Sequence, residues 1–417
     1  MTDPARHTPP PVFALTMTPF AAAVGWVTVA APYWLARDGA SIAAIGAMSG
    51  TAMLPHALKV LWAPLLDLGG RRRAWYVACA LGTAAALIAL ALLPDPAHHL
   101  PRFTILATLL QFFGTTASAA ADGLMAVTTA PEAQGRASGW RMAGNGGGTG
   151  ILGALGLWIG GTAGVPAAGI AVAALVAASA LAALLVREPR AARRGPASGS
   201  LAGALAANAQ AMARDLWTTV RSRLGWTGLV ICAVPVGAGA LTNLFSAMAV
   251  EYHASENLVA QVNGLAGGVV GAAGSFAGGW LADRMSRRLA YAASGALLAA
   301  CAIAMAAAPL TPFTYGWGTL AYNFATGVAF AALAALVLEL VGDSVAAATK
   351  YTLFISVANL ASSYVTWIDG LASEVRGAGA RGSLLADALL TVLGIGVLFA
   401  LVVVTRPARA ADPARAA

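Results

Sequence analysis

Of 417 residues, 10% are charged and 59% are hydrophobic, and the mean hydropathy is +0.74. An ordinary soluble domain carries about 25% charge, so a water-soluble enzyme, a disordered chain and a disulfide-stapled scaffold are all excluded. The net charge of +8 comes from 25 Lys+Arg against 17 Asp+Glu; the pattern is that of an integral membrane protein whose apolar side chains face lipid as well as core. Residues 1–11 read as a short cytoplasmic tail with Asp3, Arg6 and four prolines. The first apolar run has no small-residue cleavage site after it and reads as a retained helix. A membrane helix needs about 20 apolar residues. Cutting at charge clusters and Pro/Gly turns predicts helices over 12–35, 41–65, 74–93, 103–127, 138–160 and 166–186. A second set follows over 226–250, 258–281, 289–308, 314–338, 351–372 and 383–404. The domain division is therefore a tail (1–11), a six-helix bundle (12–186), a cytoplasmic linker with an interfacial helix (187–225), a second bundle (226–404) and a tail (405–417).

Cytoplasmic loops of membrane proteins carry excess Lys and Arg. With the N-terminus inside, 19 of these residues fall in cytoplasmic segments and only Arg37, Arg102, Arg376 and Arg381 outside. That split puts both termini in the cytoplasm. Lys59 and Arg141 lie within spans. The three cysteines, Cys79, Cys232 and Cys301, have no ligand spacing, and no His/Cys/carboxylate cluster supports a metal. No cofactor and no nucleic acid are expected, and neither is a catalytic centre, since no nucleophile–base pair shares one depth.

One motif occurs twice. Helix 2 (41–65) runs into Asp67-Leu68-Gly69-Gly70-Arg71-Arg72-Arg73, and helix 8 (258–281) runs through Gly279 into Asp283-Arg284-Met285-Ser286-Arg287-Arg288. The two acids are 216 positions apart, each in the 2–3 loop of its six-helix half. An Asp there can pair with Arg and cap the next helix, so Asp67, Gly70, Arg71, Arg72, Gly279, Asp283, Arg287 and Arg288 form candidate cytoplasmic gates. The duplicated pattern resembles that of the major facilitator superfamily. The resemblance implies an all-α integral membrane protein with twelve helices in two pseudo-symmetric halves, working by alternating access. Leu54 to Asp67, with Pro55, His56, Lys59, Trp62 and Pro64, is similar to the helix 2 signature of AmpG-type permeases, the muropeptide permease and acetyl-CoA transporter group. Asp122-Gly123-Leu124 through Pro131 to Arg136 resembles the helix 4 region of the same group. It departs at Ser118-Ala119, where that group carries Gln-Asp, and the chain matches a short twelve-helix branch. Siderophore importers belong to that branch, so the resemblance implies import of either an anhydromuropeptide or a ferric siderophore. Drug efflux is disfavoured because Thr108, not Arg, precedes Gln111 in helix 4 (103–127).

A charge inside the bilayer costs several kcal/mol unless paired or hydrated. Asp122 and Arg141 are symmetric about the helix 4–5 turn and are expected to pair, with Lys59 and His56 nearby. Two readings stay open for this group: a structural clamp with a snorkelling lysine, or a titrating Asp122 that couples transport to protons. Gln111, Thr115, Ser118 and Asp122 are spaced to share one face of helix 4. Asn359, Ser363 and Asp369 repeat the idea in helix 11 (351–372). With Trp26, Asn145, Asn243, Asn263, Tyr322 and Asn323, they are the candidate cavity residues; interhelical packing bonds are the competing reading. The Gly-rich runs in helices 5 and 8 read as sliding surfaces. Expected partners are a small-molecule substrate, protons and lipid, for a monomeric symporter of the bacterial inner membrane.

Overall fold

The computed structural model describes residues 8–63, 66, 71–129, 133–186, 210, 214, 217–218, 220–341 and 347–405. All regular structure among them is helical. Eight helices are long and apolar enough to cross a membrane by length and composition: α1 Val12–Arg37, α3 Arg72–Ala91, α4 Leu100–Thr128, α6 Val165–Leu185, α8 Glu256–Arg284, α9 Arg287–Ala307, α10 Pro312–Val341 and α12, whose apolar stretch is Gly379–Leu401. Four further passages bring the described helices to the twelve anticipated. α2 comprises Ile42–Ala52, Leu54–Leu58 and Lys59–Leu61. α5 comprises Gln134–Met142, Ala143–Gly147 and Gly148–Ala163. α7 comprises Arg223–Ala233, Ala240–Asn243 and Phe245–Met248, and α11 is Ala347–Ala372. The expected interfacial helix lies largely outside the described residues.

The interruptions have local causes. Proline has no N–H and its ring clashes with the carbonyl four residues back. In α1 a wide turn at Trp26–Ala30 precedes Pro32 and absorbs that clash. In α2 the break at Met53 is followed by Pro55 at the start of the next turn. In α7 helix stops at Ala233, before Pro235, and resumes after Gly239, whose φ of +59° a side chain would disfavour. The interior breaks in α2 and α7 were not foreseen, because an apolar run with one proline still reads as one span.

Two seams join the halves. A Cβ added at Gly46 of α2 would lie 2.9 Å from Gly370 Cα of α11, and one added at Gly150 of α5 would overlap the Gly264 carbonyl of α8. Backbones approach this closely only because both sides lack side chains.

Both described chain ends lie on one face of the bundle, here the terminal face; the connections at 38–41, 92–99, 164, 249–255, 308–311 and 373–378 make the far face. The buried core divides accordingly. Toward the far face one apolar cluster spans both halves, from Trp26, Trp34 and Ile45 to Phe245, Tyr322 and Leu384. Toward the terminal face each half keeps its own. Met17, Tyr76 and Leu124 anchor one, and Ile231, Tyr291 and Phe354 the other. The molecule is sealed at the far face and divided at the terminal face.

Candidate functional site

The polar contacts between the halves follow the same division. At the far face Trp34 Nε1 donates to Glu256 at 3.4 Å, Arg37 stands 3.8 Å from the same carboxylate, and Ser41 Oγ donates to Glu374 at 3.3 Å. At mid-depth Asn359 Nδ2 donates to the His56 carbonyl at 3.3 Å. Toward the terminal face, Gly139 of α5 has open space where a side chain would go, and Trp140 and Met142 are 48% and 57% exposed; at Gly146 and Gly147 α5 still runs beside α8, where a Cβ on Gly268 would stand 3.3 Å from the Gly146 carbonyl oxygen. The halves keep separate cores toward the terminal face, and the cleft inferred between them there is the candidate substrate path.

The charged group on its wall is assembled from three helices. Arg141 of α5 donates from Nε to Asp122 Oδ1 and from Nη2 to Oδ2 at 2.8 Å. This is the bidentate geometry in which an Arg–carboxylate pair is strongest. The helix 4–5 turn brings the two helices back side by side, so residues equidistant from it meet. The side chains of Arg141 and Asp122 are 21% and 39% exposed, so the pair borders the cleft instead of filling a core. Lys59 of α2 is half-buried and feels the charge of both. Tyr351 of α11 reaches the Arg141 field from the other half.

The rest of the α4 stripe is more enclosed. Gln111 is fully buried; its side chain meets His56 Nε2 at 3.2 Å and the Ala23 carbonyl at 3.4 Å. Thr115 is buried with its hydroxyl unpartnered. Ser118 meets the sulfur of Met17 at 3.7 Å. His56 is thus tied to α4, with the Phe20 ring 5.2 Å away.

The remaining cavity candidates are distributed more widely. Asn359 holds α2, as above, and Ser363 donates back to the Asn359 carbonyl at 3.1 Å. Asn145 is half-buried beside the exposed face of α5. Asn323 donates to the Thr319 carbonyl of its own helix at 2.9 Å. Asn243 donates to Thr366 at 2.9 Å. Asn263 donates to Ser246 at 2.7 Å and to Tyr315 at 2.8 Å. Trp26 is 2% exposed and packs edge-on against Trp34. Tyr322 and Asp369 are both buried in the C-terminal half, away from the cleft-wall pair. Tyr322 donates to Asp387 at 2.9 Å. Asp387 was not among the sequence candidates, although an acid inside an otherwise apolar span is the same signal that singled out Asp122.

Of the gate motifs, Asp67 and Gly70 lie outside the described residues. Arg71 is the exposed residue that precedes α3. The Arg72 chain lies against Gly123 of α4, where a Cβ would come within 2.9 Å of its Cδ. In the second copy Gly279 has open space around it and Asp283 is exposed. Arg284 stacks on Trp280 at 4.0 Å, Arg287 pairs with Glu339 of α10 at 3.4 Å, and the Arg288 Nε is buried with no partner among the described residues. The described part of this copy is therefore bonded within its own half.

Residues 13–366 match the family model of the Major Facilitator Superfamily. A Haemophilus influenzae protein described as uncharacterized is 42% identical over 92 residues, which cover 20% of this chain and 21% of that protein. The chain thus spans about a fifth of that relative's length in the match. Among solved structures, the nucleoside transporter NupG superposes with a TM-score of 0.68 at 13% identity, covering 94% of this chain and 98% of that one. A bacterial homolog of the human lysosomal transporter Spinster, inward-facing and unoccupied, gives 0.67 at 14% identity, covering 96% and 98%. The xylose transporter XylE from E. coli, inward open, gives 0.62 at 12% identity, covering 97% and 96%. At these identities the likeness is one of fold.

Proposed function

The chain belongs to the major facilitator superfamily, and from that premise we propose that it is a proton-driven importer of an anionic or amphipathic solute, in the manner of AmpG-type permeases. The observation that carries this reading is the cleft-wall group: one carboxylate, Asp122, held bidentately by Arg141 with Lys59 in the same field. The group carries one more positive charge than negative, which suits a carboxylate- or phosphate-bearing solute entering a cleft of low dielectric. A solute anion that takes over Arg141 leaves Asp122 without its partner, and a proton then neutralises it. Solute and proton occupancy are linked through one guanidinium. The lysine surplus is not needed to hold the Asp122–Arg141 pair together, which leaves it available to the solute.

The same proposal assigns 12–186 and 226–404 as the two rocking halves, with 187–225 as the cytoplasmic connection and the terminal face toward the cytoplasm, since 19 of the 25 Lys+Arg fall on that side. His56, Gln111, Thr115, Ser118, Asn145, Asn359 and Ser363 are assigned to the cavity wall. The duplicated Asp/Arg motifs are assigned to closing the terminal face when the far face opens.

The test is uptake into proteoliposomes with an imposed pH gradient, comparing labelled anhydromuropeptide with a ferric siderophore. Saturable uptake of the muropeptide that collapses with a protonophore, and that Asp122→Asn abolishes at normal membrane expression, is the expected result. Full gradient-driven uptake by Asp122→Asn would overturn the coupling role. Uptake of the siderophore alone would move the substrate to the second branch.

A further inference from the structure

A second set of acidic groups lies inside the C-terminal half, remote from the cleft wall. Asp369 of α11 is 0% exposed and Asp387 of α12 is 1% exposed. Tyr322 of α10 donates its hydroxyl to Asp387 Oδ2 at 2.9 Å. Among the described residues, neither oxygen of Asp369 has a hydrogen-bond partner. The two carboxyls act on each other electrostatically, and Tyr322 lies in the field of both. Two buried hydroxyls lie on the same helices as this set. Ser383 lies one turn before Asp387 on the same face of α12, and Thr319 lies one turn before Tyr322 on α10. Both are fully buried with unpartnered oxygens.

The other elements packed here bring no counter-charge. α2 presents Ala43 and Gly46 to Gly370. From α7, Asn243 is engaged with Thr366. Arg381, the cation nearest along α12, donates to the Ala308 carbonyl at 3.3 Å on the far surface. Glu251 is turned to the Ala380 amide at 2.8 Å. Among the described residues, no Lys, Arg or His acts on either buried carboxyl. Asp122 contrasts with this pair, because its negative charge has a guanidinium. Two ionised carboxylates acting on each other in a dry interior, one of them bonded to a phenol, repel each other and lose their hydration together. One neutral carboxyl removes the repulsion and adds the donor that the unpartnered oxygens lack.

We propose that Asp369 and Asp387 form a proton-binding site of the C-terminal half, which holds at least one proton while the far face is closed. The proton comes from water and returns to water; no other reactant is required. Asp369 is three residues from the end of α11 at Ala372, so the path to the far-side solution is short. It is also adjacent to Gly370, which closes against Gly46 of the other half. Water admitted by far-face opening solvates both carboxylates and permits the proton to leave. Closure expels that water and requires the proton back. This conformational part rests on the alternating-access reading; proton occupancy itself does not.

The test uses purified full-length protein in lipid nanodiscs, without substrate. Infrared difference spectra on stepping the pH upward from neutral report the C=O stretch of protonated carboxyls. The wild type and Asp122→Asn are expected to show the same band, and Asp369→Asn/Asp387→Asn to lack it. Asp369→Asn alone, which removes the repulsion but leaves Asp387 under Tyr322, moves the band's midpoint to lower pH and serves if the double variant does not fold. Spin labels at His99→Cys and Val375→Cys, one on each half at the far face, read closure. The distance is expected to lengthen with rising pH in the wild type and to stay short in the double variant. A band unchanged in both Asp369 variants, or a far face that opens equally with pH in wild type and double variant, would overturn the proposal. A failed uptake assay bears on the transport reading and leaves the infrared result standing.

Discussion

The α5–α8 seam permits a sharp test, because two glycines of one helix sit in opposite surroundings. A Cβ at Gly150 would overlap the Gly264 carbonyl oxygen and stand 2.9 Å from its carbon, whereas a Cβ at Gly146 would meet open space. Gly→Ala in a helix gains about 0.5–1 kcal/mol of backbone stability, and both variants share that gain. Only Gly150→Ala adds overpacking, which costs about 1–3 kcal/mol. The clash is with backbone on both sides, so no rotamer relieves it and the helices must part. Transporter states differ by a few kcal/mol, and each 1.4 kcal/mol is about tenfold, so the closed-to-open ratio of the far face should fall by about 5- to 140-fold. The assay is double electron–electron resonance between labels at His99→Cys and Val375→Cys. Gly146→Ala is expected to reproduce the parent distance distribution, and Gly150→Ala to populate a longer distance. Identical distributions for the two variants would refute the seam as the element that sets far-face closure.

Two further outcomes follow from local bonding. Tyr315 donates to the Phe245 carbonyl at 3.1 Å and accepts from Asn263 at 2.8 Å, so Tyr315→Phe leaves buried polar groups unpaired and should cost about 1–3 kcal/mol; an unchanged thermal midpoint in detergent would show that these groups find other partners. In the far-face loop, the Asp95 carboxylate bonds His98 Nδ1 at 2.8 Å, and that hydrogen bond, then the carboxylate's charge, raises the His98 pKa above the ordinary histidine value. The contact is therefore fully made below the ordinary value and is lost as pH rises through the raised one; NMR titration should show Asp95→Asn returning His98 toward the ordinary value, with no change in thermal midpoint because the ring is solvent-exposed.

The architecture was legible in the sequence because a membrane enforces it. Twelve apolar runs, the Lys/Arg asymmetry and the duplicated Asp/Arg motif follow from bilayer thickness and interfacial charge, and each leaves a mark in the chain. The Asp122–Arg141 pair was legible for a geometric reason: two charges equidistant from a tight turn meet when the helices fold back. Helix interruptions were not legible at the same level. Pro32, Pro55 and Pro235 are plain in the sequence, but whether a proline is absorbed by a wide turn or ends the helix depends on what packs beside it. The cavity stripe was partly legible. Four polar residues on one face of α4 identify a face that avoids lipid, yet Gln111 and Ser118 bond to α1 and Trp26 is packed into the core. Periodicity separates lipid-facing from protein-facing positions and does not separate a packed interior from a cleft wall.

The two halves share a fold and differ in how they hold negative charge within the span. In the N-terminal half Asp122 sits on the cleft wall, partly exposed and clamped by Arg141. In the C-terminal half Asp369 and Asp387 are enclosed with no cation acting on them among the described residues, beside the glycine crossing that joins the halves. A solute anion can compete for the first site, since it offers what Arg141 already binds. It cannot serve the second, where added negative charge deepens the repulsion and only a proton relieves it. On the two proposals made above, the first site would exchange the hold of Arg141 for a solute anion and then take a proton on Asp122, whereas the second would take protons alone. On those proposals α11 would link the two sites, since it carries Tyr351 in the field of Arg141 toward one end and Asp369 toward the other. A rigid-body tilt of that helix changes both environments at once.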